Sequence, residues 1–428
     1  MTEPTTYQRI LDYASRADPY PLYAELRATP VTREPDGGYV VSTYREIVAL
    51  LHDPRISSDP RNLPEAYAAL TEELPGLRPS FLRLDPPEHD RLRRLAMRHF
   101  GPPQSPNRVR DLVPDLVSIV THELDALAGR AKVDLVDDFA YPFPVTVICQ
   151  LLGVPREDEP RFRGWIQPVI DEADPRTDPE RLRRLAVHAF RELSDYLAVL
   201  IEERRRRPAG DLLSALATDD GPDGRMSEAD LVSTAVLLLI AGHETTVNLI
   251  ANGILTLLRH REVLDRLRGE PDLAAPVTEE LLRYEPPVQL VPWRTALDDV
   301  DLAGATIAKG APITLALAAG NRDPAHVGDP DRFDPDRADN QHLGFGGGVH
   351  LCFGAPLARL EAQVALLEVV RRLDGLRLAA DPPPYRRSPI LRGPLHLPVE
   401  LDRVLPAQPA PWPEPAAGRP RERVTVPT

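Results

Sequence analysis

The sequence predicts a mainly α fold with minor β, organised as one large domain. Three observations carry that expectation. Two long helical segments, Arg181 to Arg206 and Ser227 to about Leu258, are too regular for loops. Stretches with strand-like alternation, such as Gly38-Tyr39-Val40-Val41-Ser42, are short and scattered. The chain has 428 residues, 42% of them hydrophobic, enough for one extended core.

Taken in order, Asp18 to Thr29 reads as a helix after Pro19, Gly38–Ser42 as a strand, and Tyr44 to His52 as a helix. The proline-rich stretch from Ser57 to Leu84 is a long loop, a type of segment often kept for function. Pro87 opens a basic helix through His99. Val109 to Leu127 and Pro144 to Leu152 follow as helices, and Arg181 to Arg206 is arginine-rich with a solvated face. Ser227-Glu228-Ala229-Asp230 reads as a capping box. The helix it opens should be roughly 45–50 Å long at 1.5 Å per residue. Pro286 and Pro287 end a helix carrying Glu280 and Arg283. Val300 to Ala318 reads as short strands around turns. Past Leu405 there are seven prolines in 23 residues and little apolar pattern. Residues 1–405 are therefore expected to fold and 406–428 to form a disordered tail.

Charge and cysteine content exclude several function classes. The net charge of −14 argues against wrapping nucleic acid, while leaving room for a local basic patch. The two cysteines, Cys149 and Cys352, make no disulfide framework. Cys149 lies in an apolar helical run and reads as core. Met1 to Tyr20 has no signal-peptide layout, and the most apolar stretch, Ala235 to Ala241, is too short to span a bilayer. A cytoplasmic protein with no membrane anchor is expected.

Cys352 stands in a different setting. Phe345-Gly346-Gly347-Gly348-Val349-His350-Leu351-Cys352-Phe353-Gly354 runs directly into the helical pattern Ala355–Glu361. Glycines let backbone pass close to a flat macrocycle and adopt positive φ. A helix start aimed at the sulfur favours thiolate, and thiolate is a strong ligand for haem iron. This stretch resembles the haem-binding loop of the cytochrome P450 superfamily, and further matches lie in order over roughly residues 5 to 405. The resemblance implies a single haem-thiolate fold of that type, a b-type haem held by Cys352, and monooxygenase activity.

The long helix carries Ala241-Gly242-His243-Glu244-Thr245-Thr246 at its centre. Glycine in a helix interior costs about 1 kcal/mol relative to alanine, so a local kink or widened turn is expected there. By the resemblance, Thr245 holds bound dioxygen through a hydrogen bond, Glu244 relays protons, and Ala241 with Gly242 leaves a groove for oxygen. Glu280 and Arg283 lie on one helix face. They match the family's structural Glu-x-x-Arg pair, with Arg337 as third member. His89, Arg93, Arg294 and His350 fall at the family's haem-propionate positions, and His342 reads as structural.

The segment Phe100-Gly101-Pro102-Pro103-Gln104-Ser105-Pro106 departs from the family pattern near the proximal side. No flavin or nicotinamide fingerprint is present. Electrons from NAD(P)H should therefore arrive through separate partners, a ferredoxin and its reductase. The basic helix from Arg91 to Arg98, together with Arg359, is the expected docking face. The expected substrate is a lipophilic small molecule of secondary metabolism. It would be lined by the Ser57–Leu84 loop, Trp165 to Ile170, Leu237, Ile240, Val288 to Val291, Ile390 and Leu391. Two other classes stay in view, a peroxide-driven peroxygenase and a non-catalytic haem-binding sensor or assembly protein.

Overall fold

The computed structural model describes residues 3–63, 78–101, 108–171, 178–221 and 224–409, less the side chains of 167–171 and 179. Structural statements below concern these residues. The central element is a helix over Glu228–Arg259. Its N-cap is Ser227, whose hydroxyl accepts from the Asp230 backbone N–H at 3.2 Å. The expected box is half formed. Asp230 is drawn instead to Arg78 and Arg91, each at 3.2 Å, because two guanidinium groups outcompete one backbone N–H.

This helix is long and apolar enough to cross a membrane by composition, but 72% of its most apolar window is buried inside the protein. It is a core helix. Around it pack Pro142–Leu152, Pro179–Arg206, Ala274–Tyr284 and the helix after the cysteine, Ala355–Arg372. One continuous apolar cluster joins them, including Leu116, Phe139, Phe143, Ile250, Leu281 and Leu366. Cys149 is fully buried within it, as expected.

The sheets are small. The largest has the order Val31–Arg33, Tyr39–Val41, Pro312–Leu315, Val291–Ala296, Ile56–Ser57. Its parallel pair joins Tyr39–Val41 to Pro312–Leu315, and a register shift lies between Val291 and Arg294. The strand Pro398–Glu400 pairs with Lys132–Asp134, tying the end of the domain to its middle. The basic helix spans Glu88–Phe100, one residue later at each end than expected. Most of the 406–428 tail lies outside the described residues; Gln408, just before that limit, accepts from Arg371 at 2.7 Å.

Candidate active site

The cysteine loop is held from below by a charged knot. Glu280 and Arg283 are almost fully buried and bonded twice, Nε to Oε2 at 2.8 Å and Nη2 to Oε1 at 2.7 Å. Arg337 Nε stands 3.6 Å from Glu280 Oε1, completing the expected triad. Arg283 also donates to the carbonyls of Asn321, Pro330 and Arg332. A buried ion pair costs desolvation, which these added hydrogen bonds offset. The result is a fixed platform for the segment leading to the loop. His342 accepts from Gly344 N–H at 3.1 Å and meets Glu279 at 3.1 Å, a structural role as expected.

Within the loop, Gly346 and Gly348 have φ of 68° and 63°. Gly348 is doubly required, since a Cβ there would stand 1.9 Å from the Leu51 carbonyl oxygen. The backbone N–H of Cys352 donates to the Phe345 carbonyl at 2.9 Å, closing the loop on itself. Cys352 is accessible. Burial pushes its thiol up, against the N–H groups of Gly354 and Ala355 and the charges of Arg93 and Arg359. The helix start alone therefore does not give a thiolate. A bound metal cation deprotonates such a thiol outright.

The structure gathers the four residues expected at the haem edge around His350. Arg93 donates to the Leu351 carbonyl at 2.6 Å. The His89 and His350 rings are 4.5 Å apart, edge to face. Burial, then Arg294, His89 and Arg93, drives the His350 imidazole down to about 3. Burial, then the nearby Arg83, lowers Arg294 to about 10. His89 Nε2 and His350 Nδ1 are buried without a hydrogen-bond partner. Buried polar atoms are normally satisfied. A cluster of crowded cations and orphaned ring nitrogens fits an anionic group, as the carboxylates of a haem would supply.

The central helix presents one open stripe. Leu237, Ile240, Ala241 and Thr245, spaced by helical turns, are partly or fully accessible, while Val232–Val236 and Thr246–Leu258 are buried. Thr245 Oγ1 donates to the Ala241 carbonyl at 2.8 Å and Thr246 Oγ1 to Gly242 at 3.2 Å. The helix runs unbroken through the region expected to kink. Gly242 faces Ile148, whose Cδ1 would be 3.0 Å from an added Cβ. Its lack of a side chain is used for close packing of two helices, and its neighbour Ala241 is exposed.

Glu244 points the other way and is buried. Its Oε1 lies 3.2 Å from Arg386 Nη1 and 3.5 Å from Asn248 Nδ2, while Oε2 has no hydrogen-bond partner. Arg386 Nε also donates to Asn248 Oδ1 at 3.1 Å. Sequence reading missed Arg386, which is far along the chain with no local pattern. It also missed Glu361, a carboxyl raised well above its usual range by burial, with the neighbouring Thr246 side chain acting against the shift.

Among the other expected residues, Val288 and Leu391 meet in a β-bridge, and both, with Val291 and Ile390, are partly accessible. Trp165 packs instead among Phe162, Tyr196 and Arg161. Residues 64–77 of the expected loop and 102–106 of the proximal departure lie outside the described residues.

The fold and its cysteine loop define a protein of the haem-thiolate class. The cytochrome P450 family model matches residues 65–277 and 272–397. The chain belongs to that family and is a P450 monooxygenase. Among its relatives, Cytochrome P450 107B1 of Saccharopolyspora erythraea is 40% identical, over 91% of this chain and 96% of that protein. The monooxygenase PikC of Streptomyces venezuelae is 41% identical, over 90% and 92% respectively. The ligand-free crystal structure of Mycobacterium smegmatis CYP164A2 superposes with a TM-score of 0.83 at 41% identity, covering 92% of this chain and 99% of that one. Membership implies haem.

Proposed function

We propose that Cys352 would ligate the iron of a b-type haem and that His89, Arg93, Arg294 and His350 would hold its propionates. The observation that carries this reading is the set of buried, unpartnered ring nitrogens and crowded arginines in the same loop region as the accessible Cys352 thiol. When bound, the haem supplies dioxygen activation and transfer of one oxygen atom to carbon. The chain's own residues do the rest. With its proton given to the Ala241 carbonyl, the Thr245 hydroxyl offers lone pairs to the open stripe. Rotation about χ1 frees that proton for donation. Glu244 holds a carboxylate on the adjoining face, fixed by Arg386 and Asn248, with its second oxygen free to accept a proton. A positioned relay of this kind contributes ~10²–10⁴-fold.

Leu237 and Ile240 on the stripe, with Val288, Val291, Ile390 and Leu391, form an apolar lining that orients a lipophilic substrate and excludes water. One relative is named a 6-deoxyerythronolide B hydroxylase and another a polyketide-biosynthesis P450. A macrolactone or similar polyketide is the substrate class we infer. Electrons pass from NAD(P)H through a ferredoxin and its reductase, and the enzyme works in the cytoplasm, where both cysteines stay free. The test is product formation from a macrolactone panel with surrogate ferredoxin and reductase, alongside haem spin-state titration. Substrate-dependent NADPH use with hydroxylated product supports the reading. Haem binding without turnover would favour a sensor, and equal turnover with peroxide alone a peroxygenase.

A further inference from the structure

The cation array has a member that the sequence did not reveal. Arg83 closes the short turn Phe81–Arg83, six residues before His89. Its guanidinium carbon lies 5.5 Å from the centroid of the Trp293 ring. Its Nε is buried with no hydrogen-bond partner. Trp293 has a φ of 62°, unusual for a bulky side chain, and sits at the register shift between Val291 and Arg294. That backbone irregularity lets consecutive residues serve one place, the ring of Trp293 against Arg83 and the guanidinium of Arg294 close by. The two charges feel each other, and burial lowers both.

The nearby acids are taken. Asp59, whose field reaches Arg83, accepts from Arg61 Nε through both oxygens at 2.9 Å. Asp85, whose field reaches Arg294, accepts from Ser58 N–H at 2.8 Å and Asn62 at 3.4 Å. Two desolvated guanidinium groups within reach of each other's charge, without a free carboxylate, are unfavourable unless an anion joins them. We propose that Arg83, braced by Trp293, is a fifth holder of the haem propionates and shares a carboxylate with Arg294.

This inference rests on the haem reading above, and the experiment separates the two. Wild type and Arg83→Gln are loaded with protohaem or with its dimethyl ester, and haem transfer to excess apomyoglobin is timed. With protohaem, Arg83→Gln should release haem about tenfold faster, the loss of one charge-assisted hydrogen bond. With the ester, the two proteins should release haem at the same rate. Arg83→Lys should recover part of the retention. A penalty that persists with the ester would make Arg83 a structural residue and overturn the proposal. So would equal release with protohaem. A third outcome also overturns it. If Arg83→Gln weakens the spin-state response to a fatty acid but not to its methyl ester, with haem release unchanged, Arg83 anchors a substrate carboxylate. Failure of wild type itself to retain haem would sink the haem reading instead.

Discussion

Glu244 and Arg386 meet at 3.2 Å where each side chain is only 3% exposed. They come from the central helix and from the segment near the end of the domain, and Asn248 bonds to both. Gly393 makes the approach possible, since a Cβ there would stand 2.2 Å from Asn248 Oδ1. The acid beside Thr245 is therefore set by a distant arginine.

Removing Arg386 leaves a buried carboxylate without its partner, which costs about 3–5 kcal/mol. Arg386→Met should lose stability of that order in denaturant melts. Glu244→Gln/Arg386→Met should be clearly more stable than Arg386→Met alone, since neither charge remains. If the double variant is no better than the single one, the pair is not coupled.

Cys352→Ala should abolish the red-shifted Soret band of the reduced, carbonyl-bound protein. Cys149→Ala should keep it. Cys149 is fully buried in the apolar cluster, and burial pushes its thiol far up, with Glu159 adding to the shift. A Cys352→Ala protein that retains the band would remove the basis for the whole site.

Thr245→Ala should still bind haem and substrate and still consume NADPH. Its hydroxyl bonds only within its own helix, to Ala241, so the fold should tolerate the loss. Product per NADPH should fall roughly tenfold, less than the ~10²–10⁴-fold of a whole proton relay because the Glu244 carboxylate remains, with peroxide rising to match. Unchanged coupling, read as product and peroxide per NADPH, would make Thr245 an ordinary helix residue.

Much of this was legible because the signals are local. Ser227 announces the central helix, and Glu280 with Arg283 shows its pairing in four residues. The glycines around Cys352 state their own backbone need, as the φ of Gly348 demonstrates. What stayed hidden lies in long-range pairings. Arg386 reaches Asn248 across 138 positions, and no pattern around either residue encodes that. The strands Lys132–Asp134 and Pro398–Glu400 are three residues each, too short to show a period. At Gly242 the sequence shows a missing side chain but not its neighbour, and a Cβ there would meet Ile148, about a hundred positions earlier in the chain.

Glu279 links acid stability to the same platform. Burial alone would raise its carboxyl, but hydrogen bonds from His342 and Arg359 overcome that and hold it at about 2. A depressed folded value means stability present above the unfolded value of about 4.3 and lost as pH falls toward 2. Allowing for partial exposure, the loss is about 2 kcal/mol. Glu279→Gln should flatten the stability profile between about pH 4.3 and 2, measured by denaturant midpoints. An unchanged acid limb would place the sensitivity elsewhere.

The same ion pair revises the expected docking face for the electron donor. Arg359 donates to Glu279 at 2.7 and 2.9 Å and stacks over Phe345 at 4.6 Å, so its charge is neutralised within the fold. On the basic helix, Arg91 is held by Asp230 and Arg98 by Asp219. Arg94 is the exposed cation of that helix, and Leu351 beside the cysteine adds an apolar contact, 48% exposed. An acidic ferredoxin should therefore feel Arg94 chiefly. Arg94→Glu should slow reduction by ferredoxin several-fold and leave reduction by dithionite unaffected. The wild-type rate should fall as salt rises, since exposed charges are screened within ~8–10 Å near physiological ionic strength. Arg359→Glu should instead place two carboxylates together and lower stability, whatever the electron source. Ferredoxin reduction rates indifferent to both salt and Arg94→Glu would move the docking face away from this helix.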